Sequence, residues 1–592
     1  MSVTPYYQDE LIALRELGRE FARRNPALAP FLETPGKDPD VERLLEGVAF
    51  LTGRLRQKLD DELPEIIHAL FNLLWPNYLR PVPACSILRF EPSENLSGAV
   101  SIPRGALVDS VAVEGTKCRF RTAYGTEILP LRLCGQSFIE KSGEASLVLQ
   151  FETLGVPLAN LPVSSLRFFI MGEPAIAQTI YYTMAARTRE VRVALPGDAP
   201  SRPKVLARLE AADCIRPVGF REEEGLYPYP ANTFPGYRIL QEYFCFPEKF
   251  SFIEVGSLEK ALNGPLLAGY DGQAFELHFA LRELPARFAS FRPENWQLHC
   301  TPVVNLFRMD ATPIAYDHRQ SEYRIVPDPR RPGHFATYSI DRVASWSQGD
   351  NENRQYTEFE SFAFEDGRNP GDTYYRRRIR PSHTDDSVEV FISIMPGGEG
   401  GALPRREIIS LELTCTNRNL PRQLGVGDIA LHADNTPDSV SFRNITPVVP
   451  SFNPPLEGDM LWRLLSNMSP NYIALTNIPA LKAVISAYDF RARYDQPRAR
   501  VLEKTLRGMV DISCRQTDRL HNGLPVRGAR TRLVLDQQCF SCEGEMYLFG
   551  TVLHEFFALY ATVNSFHQLI VVEAKRGEEY RWPVRLGRMD LR

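Results

Sequence analysis

Ser387-Val388-Glu389-Val390-Phe391-Ile392-Ser393-Ile394 puts an aliphatic side chain at every second position, the pattern of a strand with one buried face. Gly397-Gly398-Glu399-Gly400-Gly401 follows it and reads as a flexible loop. The same texture, short runs cut by Gly, Pro and Asp, begins near Cys85. It predicts further strands over 86–90, 145–151, 191–195, 274–280 and 408–416. Helical spacing returns over 457–467, 480–490 and 544–565.

Upstream of Cys85 the period changes from two to that of a helix. Leu11, Leu14, Leu17 and Phe21 recur at helical spacing until Asn25-Pro26 and Thr34-Pro35-Gly36 interrupt. Asp38-Pro39 then supplies an N-cap and a first-turn proline. Behind it Val41, Leu44, Leu45, Val48, Leu51, Leu55 and Leu59 form one apolar stripe. Pro64 is expected to open a separate segment, 66–74, that Pro76 ends. The fold class is therefore α+β: a helical N-terminal region, a multi-domain strand-rich body and a mixed α/β C-terminal region. The expected divisions are 1–82, 83–255, 256–450 and 451–592.

Composition narrows the function. At 592 residues the chain calls for several domains, and 44% hydrophobic with 24% charged residues describes a globular protein. The net charge of −5 gives no overall field to hold a polyanion. Only ten of the 68 basic residues are lysine, leaving 58 arginines; arginine suits planar, bidentate contacts and is common at interfaces. Ten scattered cysteines read as reduced core thiols of a cytosolic protein. The first ten residues have neither the basic nor the apolar region of a signal peptide. The uncharged stretch 464–481 is broken by Pro470 and Pro479 and does not suit a membrane span.

The residues that carry chemistry do not assemble into a motif. No phosphate-binding or dinucleotide-binding glycine pattern occurs, and no Gly-x-Ser-x-Gly elbow. His554-Glu555 lacks the second histidine of a zinc helix, because Ala558 stands there. Cys539 and Cys542 form one CxxC with no second pair, so they read as buried thiols beside a strand turn. The ten histidines are scattered. Glu222-Glu223-Glu224 and Asp385-Asp386 read as solvated surface. Tyr374-Tyr375-Arg376-Arg377-Arg378-Ile379-Arg380 could grip phosphates and stack on bases. The blander expectation is a polar strand or loop whose arginines pair with acids such as Asp385 and Asp386. No catalytic, cofactor-binding or metal-binding residue is assigned. A glycan hydrolase with carboxylates distant in sequence and a nucleic-acid binder using 374–380 remain as alternatives.

A set of aromatic, proline-punctuated blocks remains. They include Tyr6-Tyr7-Gln8-Asp9-Glu10-Leu11, the run from Asp38 to Leu51, Leu59-Asp60-Asp61-Glu62-Leu63-Pro64-Glu65 and Trp75-Pro76-Asn77-Tyr78-Leu79-Arg80-Pro81. Arg216-Pro217-Val218-Gly219-Phe220 follows, then Gly236 to Phe250, Cys300 to Phe307, Trp462 to Asn467 with Asn471-Tyr472, and Gly550 to Phe566. In this order the blocks resemble the TssF family, also called VasA or ImpG, of bacterial type VI secretion baseplates. Asn467 stands where a histidine is common in that family. The resemblance implies a non-enzymatic baseplate wedge protein without cofactor or metal. Two copies would join one TssG, with TssK attached. The wedges would surround the VgrG spike hub, and TssE and sheath subunits would dock on the same platform. It also implies a cytoplasmic position at the inner face of the inner membrane, with neither nucleic acid nor membrane insertion. Interface candidates are Leu11, Leu14, Phe21, Leu44, Leu45, Val48, Leu55 and Leu59, whose apolar stripe needs a partner. Tyr237, Tyr243 and Phe246 join them as aromatic anchors.

Overall fold

Strand Val388–Pro396 buries Val390, Ile392 and Ile394 and leaves Phe391 and Ser393 half-buried between them. Its buried aliphatics meet Ile409, Leu411 and Leu413 in one core, because strand Glu407–Thr416 alternates in the same way. The two lie in an eight-stranded sheet whose members all come from residues 307–416. The computed structural model describes Tyr7, Leu11, Leu14 and residues 39–587. The exceptions are 94–95, 142–143, 198–202, 231–232, 264–266, 268–269, 286, 347–353, 360–372, 383–386, 397–406, 434–435, 438, 455, 457–476 and 522–523.

The chain divides into two units, residues 1–79 with 455–466 and residues 80–454 with 467–592. In the first, one helix runs unbroken from Pro39 to Leu74, roughly 54 Å at 1.5 Å per residue. The break expected at Pro64 is absent. Proline's φ is already helical, and its loss of one amide hydrogen bond is small beside the bonds of 36 helical residues. Phe71, Trp75 and Tyr78 are buried at the C-terminal end, with the Tyr78 ring 5.1 Å from Phe71 and 4.9 Å from Trp75.

In the second unit all six expected strands form. A five-stranded sheet has the order Lys204–Glu210, Thr188–Leu195, Ala274–Leu281, Glu144–Thr153, Leu131–Lys141. A six-stranded sheet takes strands from three distant segments: Cys85–Pro92, Leu107–Val113 and Thr116–Thr122; Cys300–Val304; and Ile429–His432 with Val440–Asn444. Its core joins Leu88, Phe90 and Phe120 to Val303, Ile429 and Phe442.

These pairings correct the expected divisions. The boundary at 255/256 falls inside a shared structure, since strand 274–281 lies between strands 188–195 and 144–153. The region 451–592 is not a separate body. Helix Glu543–Ala558 packs on helices Pro174–Tyr182 and Pro235–Cys245, with the Tyr182 and Tyr547 rings 5.0 Å apart and Phe234 and Tyr560 4.3 Å apart. Gly544 allows the first of these contacts. A Cβ there would sit 2.1 Å from the carbonyl oxygen of Gln178.

The expected helix over 480–490 forms as Ile478–Tyr488, while that over 457–467 lies outside the described residues. The last sheet orders Met509–His521, Leu524–Leu535, Ser565–Glu573 and Glu579–Arg581. Its first pair is an antiparallel hairpin with His521 opposite Leu524.

Candidate functional site

At 100° per residue, positions 44, 48 and 51 of helix 39–74 fall within about 60° of one another. Leu44, Val48 and Leu51 are 69%, 44% and 62% exposed. Leu45 is half-buried and Ala49 fully buried, so the two apolar faces of this helix differ in fate. Exposed leucines on a long regular helix are the natural material of an intersubunit contact. Leu11 is buried and Leu14 half-buried. The side chains of Leu55 and Leu59, and the whole of Phe21, lie outside the described residues.

Tyr237 and Phe246 do not join that surface. Both are buried, with Tyr237 stacked on Tyr488 at 5.1 Å and 14°. Tyr237 is a core residue because helix 235–245, which carries it, is covered by helices 478–488 and 543–558; Phe246, the C-cap of that helix, is buried as well. Tyr243 is half-buried, 6.2 Å from Phe549.

The aromatic block hides charges that the sequence reading missed. Glu242 and Lys249 are fully buried and Arg238 nearly so. The Lys249 Nζ donates to Glu242 Oε2, and Arg238 Nη1 reaches the same oxygen at 3.3 Å. Oε1 accepts from the backbone N–H of Leu226 at 2.7 Å. Nearby, Glu224 accepts from Arg216 at 2.8 Å and from the Gly219 N–H at 2.7 Å. Arg216 and Arg167 share Glu254 at 3.1 and 3.0 Å. Burial pushes the Glu224 carboxyl up, but Arg216 and the backbone donors outweigh it and hold it below its ordinary range. Burial pulls the Lys249 ammonium below its ordinary range, with Glu242 opposing. Glu224 thus departs from the expected solvated run: Glu222 and Glu223 are exposed, and it is not. Each of these carboxylates meets at least one cation, and the network clamps loop 216–230 to helix 235–245 through Glu242 to the Leu226 N–H and Arg238 to the Phe220 and Arg221 carbonyls.

The arginines of 374–380 sit on strand Thr373–Pro381. Arg378 and Arg380 grip the two oxygens of Glu322 at 3.0 and 2.6 Å, and Arg377 lies 3.5 Å from Glu358. These acids, not Asp385 and Asp386, are the partners shown; those two lie outside the described residues. Cys539 and Cys542 are half-buried rather than buried; Cys542 holds the N-cap position of helix 543–558, and its Sγ–H donates to Gln178 Oε1 at 3.4 Å. All ten cysteines are free, six of them buried. Among the described residues no group of three His, Cys, Asp or Glu side chains could hold a metal ion, and no helix is long and apolar enough to cross a membrane.

The family model for the type VI secretion system protein TssF matches residues 2–589. The chain belongs to the TssF family. It is similar to type VI secretion system component TssF1 of Pseudomonas aeruginosa, 28% identical over 627 aligned residues that cover 98% of each chain. Among solved structures it is similar to a chain of a type VI secretion TssK-TssF-TssG baseplate subcomplex, at 29% identity and a TM-score of 0.77. That match covers 92% of this chain and 98% of the other. It is also similar to a chain of a type VI secretion baseplate complex, at 25% identity and a TM-score of 0.62 over the full length of both. The α+β, strand-rich fold and the family expected from the sequence are those found, and the chain is a structural component of the type VI secretion baseplate.

Proposed function

We propose that this TssF chain works as a wedge subunit, two copies joining one TssG with TssK attached. The wedges surround a VgrG hub and carry TssE and the sheath. Its work is binding geometry rather than catalysis, carried out in the cytoplasm at the inner face of the inner membrane. The observation that carries this reading is the exposed apolar row Leu44, Val48 and Leu51 on helix 39–74, in a chain whose relatives were solved within TssK-TssF-TssG and baseplate assemblies. That row, with the adjacent Leu45 and with Leu11 and Leu14 of the N-terminal helical pattern, is assigned to the TssG contact. Phe21, Leu55 and Leu59 extend the assignment by sequence pattern. A second copy of the chain would meet TssG from a different side.

Co-expression with the matching TssG, followed by size-exclusion chromatography with light scattering, tests the reading. A complex with the mass of two copies of this chain and one TssG is expected. Leu44→Glu with Leu51→Glu should abolish it while leaving the thermal midpoint of the free chain in place. A monomer indifferent to TssG overturns it.

A further inference from the structure

The outer face of the C-terminal sheet carries four arginines that make no ion pair among the described residues. Register places Arg515 directly opposite Arg530, Ser513 opposite Arg532, and Arg519 one further pair of rungs along the same face. All four arginines are exposed. No ion pair to any of them exists among the described residues, whereas Arg581 at the rim pairs with Glu579 at 2.6 Å. Asp511, opposite Val534, is the next position along the face beyond the Ser513–Arg532 pair and makes no ion pair with Arg532 among the described residues. Like charges directly opposite across two strands destabilise a sheet. A chain with 73 acidic residues could have placed one between them, as it places Glu322 between Arg378 and Arg380.

The face is also concave. A groove of about 520 Å³ is lined by the four arginines together with Ser513, Gln568, Ile570, Arg581 and one acid, Glu579, which is held by Arg581; the volume is within the usual range for a ligand cleft, roughly 300–1,000 Å³. We propose that this groove docks an extended acidic segment of a partner protein, its carboxylates forked by Arg515, Arg519, Arg530 and Arg532. Guanidinium matches carboxylate bidentately. Residues 530 and 532 are one strand period apart, about 6.6–6.8 Å, the spacing of acids on alternate residues of an extended chain. None of the groove's lining side chains is aromatic, so bases have nothing to stack on, and the net charge of −5 opposes a long polyanion. A recessed groove offers its charges to a chain rather than to the plane of a bilayer. The inference goes beyond the wedge reading and does not depend on TssG binding.

The full-length protein is titrated by fluorescence anisotropy with a labelled (Glu-Thr)6 peptide, with (Gln-Thr)6 as control. The acidic peptide should bind in 50 mM NaCl and weaken at least tenfold in 300 mM as charges are screened, and the control should stay free. Arg515→Gln/Arg530→Gln/Arg532→Gln should weaken binding at least tenfold with an unchanged thermal midpoint. Arg515→Gln alone should give a partial loss and keeps the test decisive if the triple variant fails to fold. No binding at 50 mM, or binding indifferent to these substitutions, overturns the proposal. So does tighter arginine-dependent binding to a 12-nucleotide single-stranded DNA or to vesicles with 30% phosphatidylserine.

Discussion

Two arginine-rich regions of this chain use the same side chain in opposite ways. Around helix 235–245, Arg167, Arg216 and Arg238 each close on a glutamate, and two of the carboxylates, Glu224 and Glu242, also accept from backbone N–H groups. On the outer face of the C-terminal sheet, Arg515, Arg519, Arg530 and Arg532 stand exposed with no acid partner among the described residues. The difference teaches where each does its work. A buried guanidinium such as Arg238 would cost several kcal/mol without a carboxylate, and the half-buried Arg167 and Arg216 also come with their acids, so the inner arginines serve the fold. An exposed one costs little, so the outer arginines are available for a ligand.

The comparison breaks most easily at Glu242. Glu242→Ala leaves Lys249 and Arg238 buried without their counter-charge and should cost about 3–5 kcal/mol in urea unfolding. A cost below 1 kcal/mol would mean that water reaches the network and that the two regions are not distinct. Gly544→Ala tests the packing that shields the inner region. Its Cβ would meet the Gln178 backbone at 2.1 Å, where no rotamer change gives relief, so a loss near the upper end of about 1–3 kcal/mol is expected.

The two faces of the C-terminal sheet should also differ in their response to acid. His567 is buried against Thr531 Oγ1 at 3.0 Å, and burial pulls its imidazole down to about 3. Its folded value lies below the unfolded one, so the unfolded chain binds the extra proton and stability is lost as pH falls below about 6.5. The loss is roughly 2 kcal/mol at pH 5 for this histidine, at 1.36 kcal/mol per pK unit. His567→Gln should therefore unfold less steeply between pH 7 and 5 in chemical denaturation. An unchanged slope would place the proton elsewhere. The smallest effect is expected outside: Arg515→Gln/Arg530→Gln/Arg532→Gln should move stability by less than about 0.5 kcal/mol. A large loss would show that the outer arginines, too, serve the fold.

How much of this could be read in advance depends on range. The alternation of 387–394 and of 408–416 names its own buried face, because a strand's two-residue period is a local property. The Asn522-Gly523 step between 509–521 and 524–535 was a readable hairpin signal that the strand reading passed over. Arg238 and Glu242 were visible as a helical i,i+4 pair, yet their pattern is the same on a solvated helix. Only the cover of helices 478–488 and 543–558 makes it a buried clamp. The same cover turns Tyr237 into core, stacked on Tyr488.

By itself the sequence determined the family, the strand-rich body behind a helical start, and the absence of any local catalytic motif. Each of these is written in residues close together or in an ordered series of short blocks. Only the tertiary structure decided that strands from 85–122, 300–304 and 429–444 share one sheet, which arginines meet acids and which do not, and that Leu44, Val48 and Leu51 stay exposed while Ala49 is buried. Burial and charge pairing depend on what the rest of the chain brings to a site across hundreds of residues, and no local period encodes that.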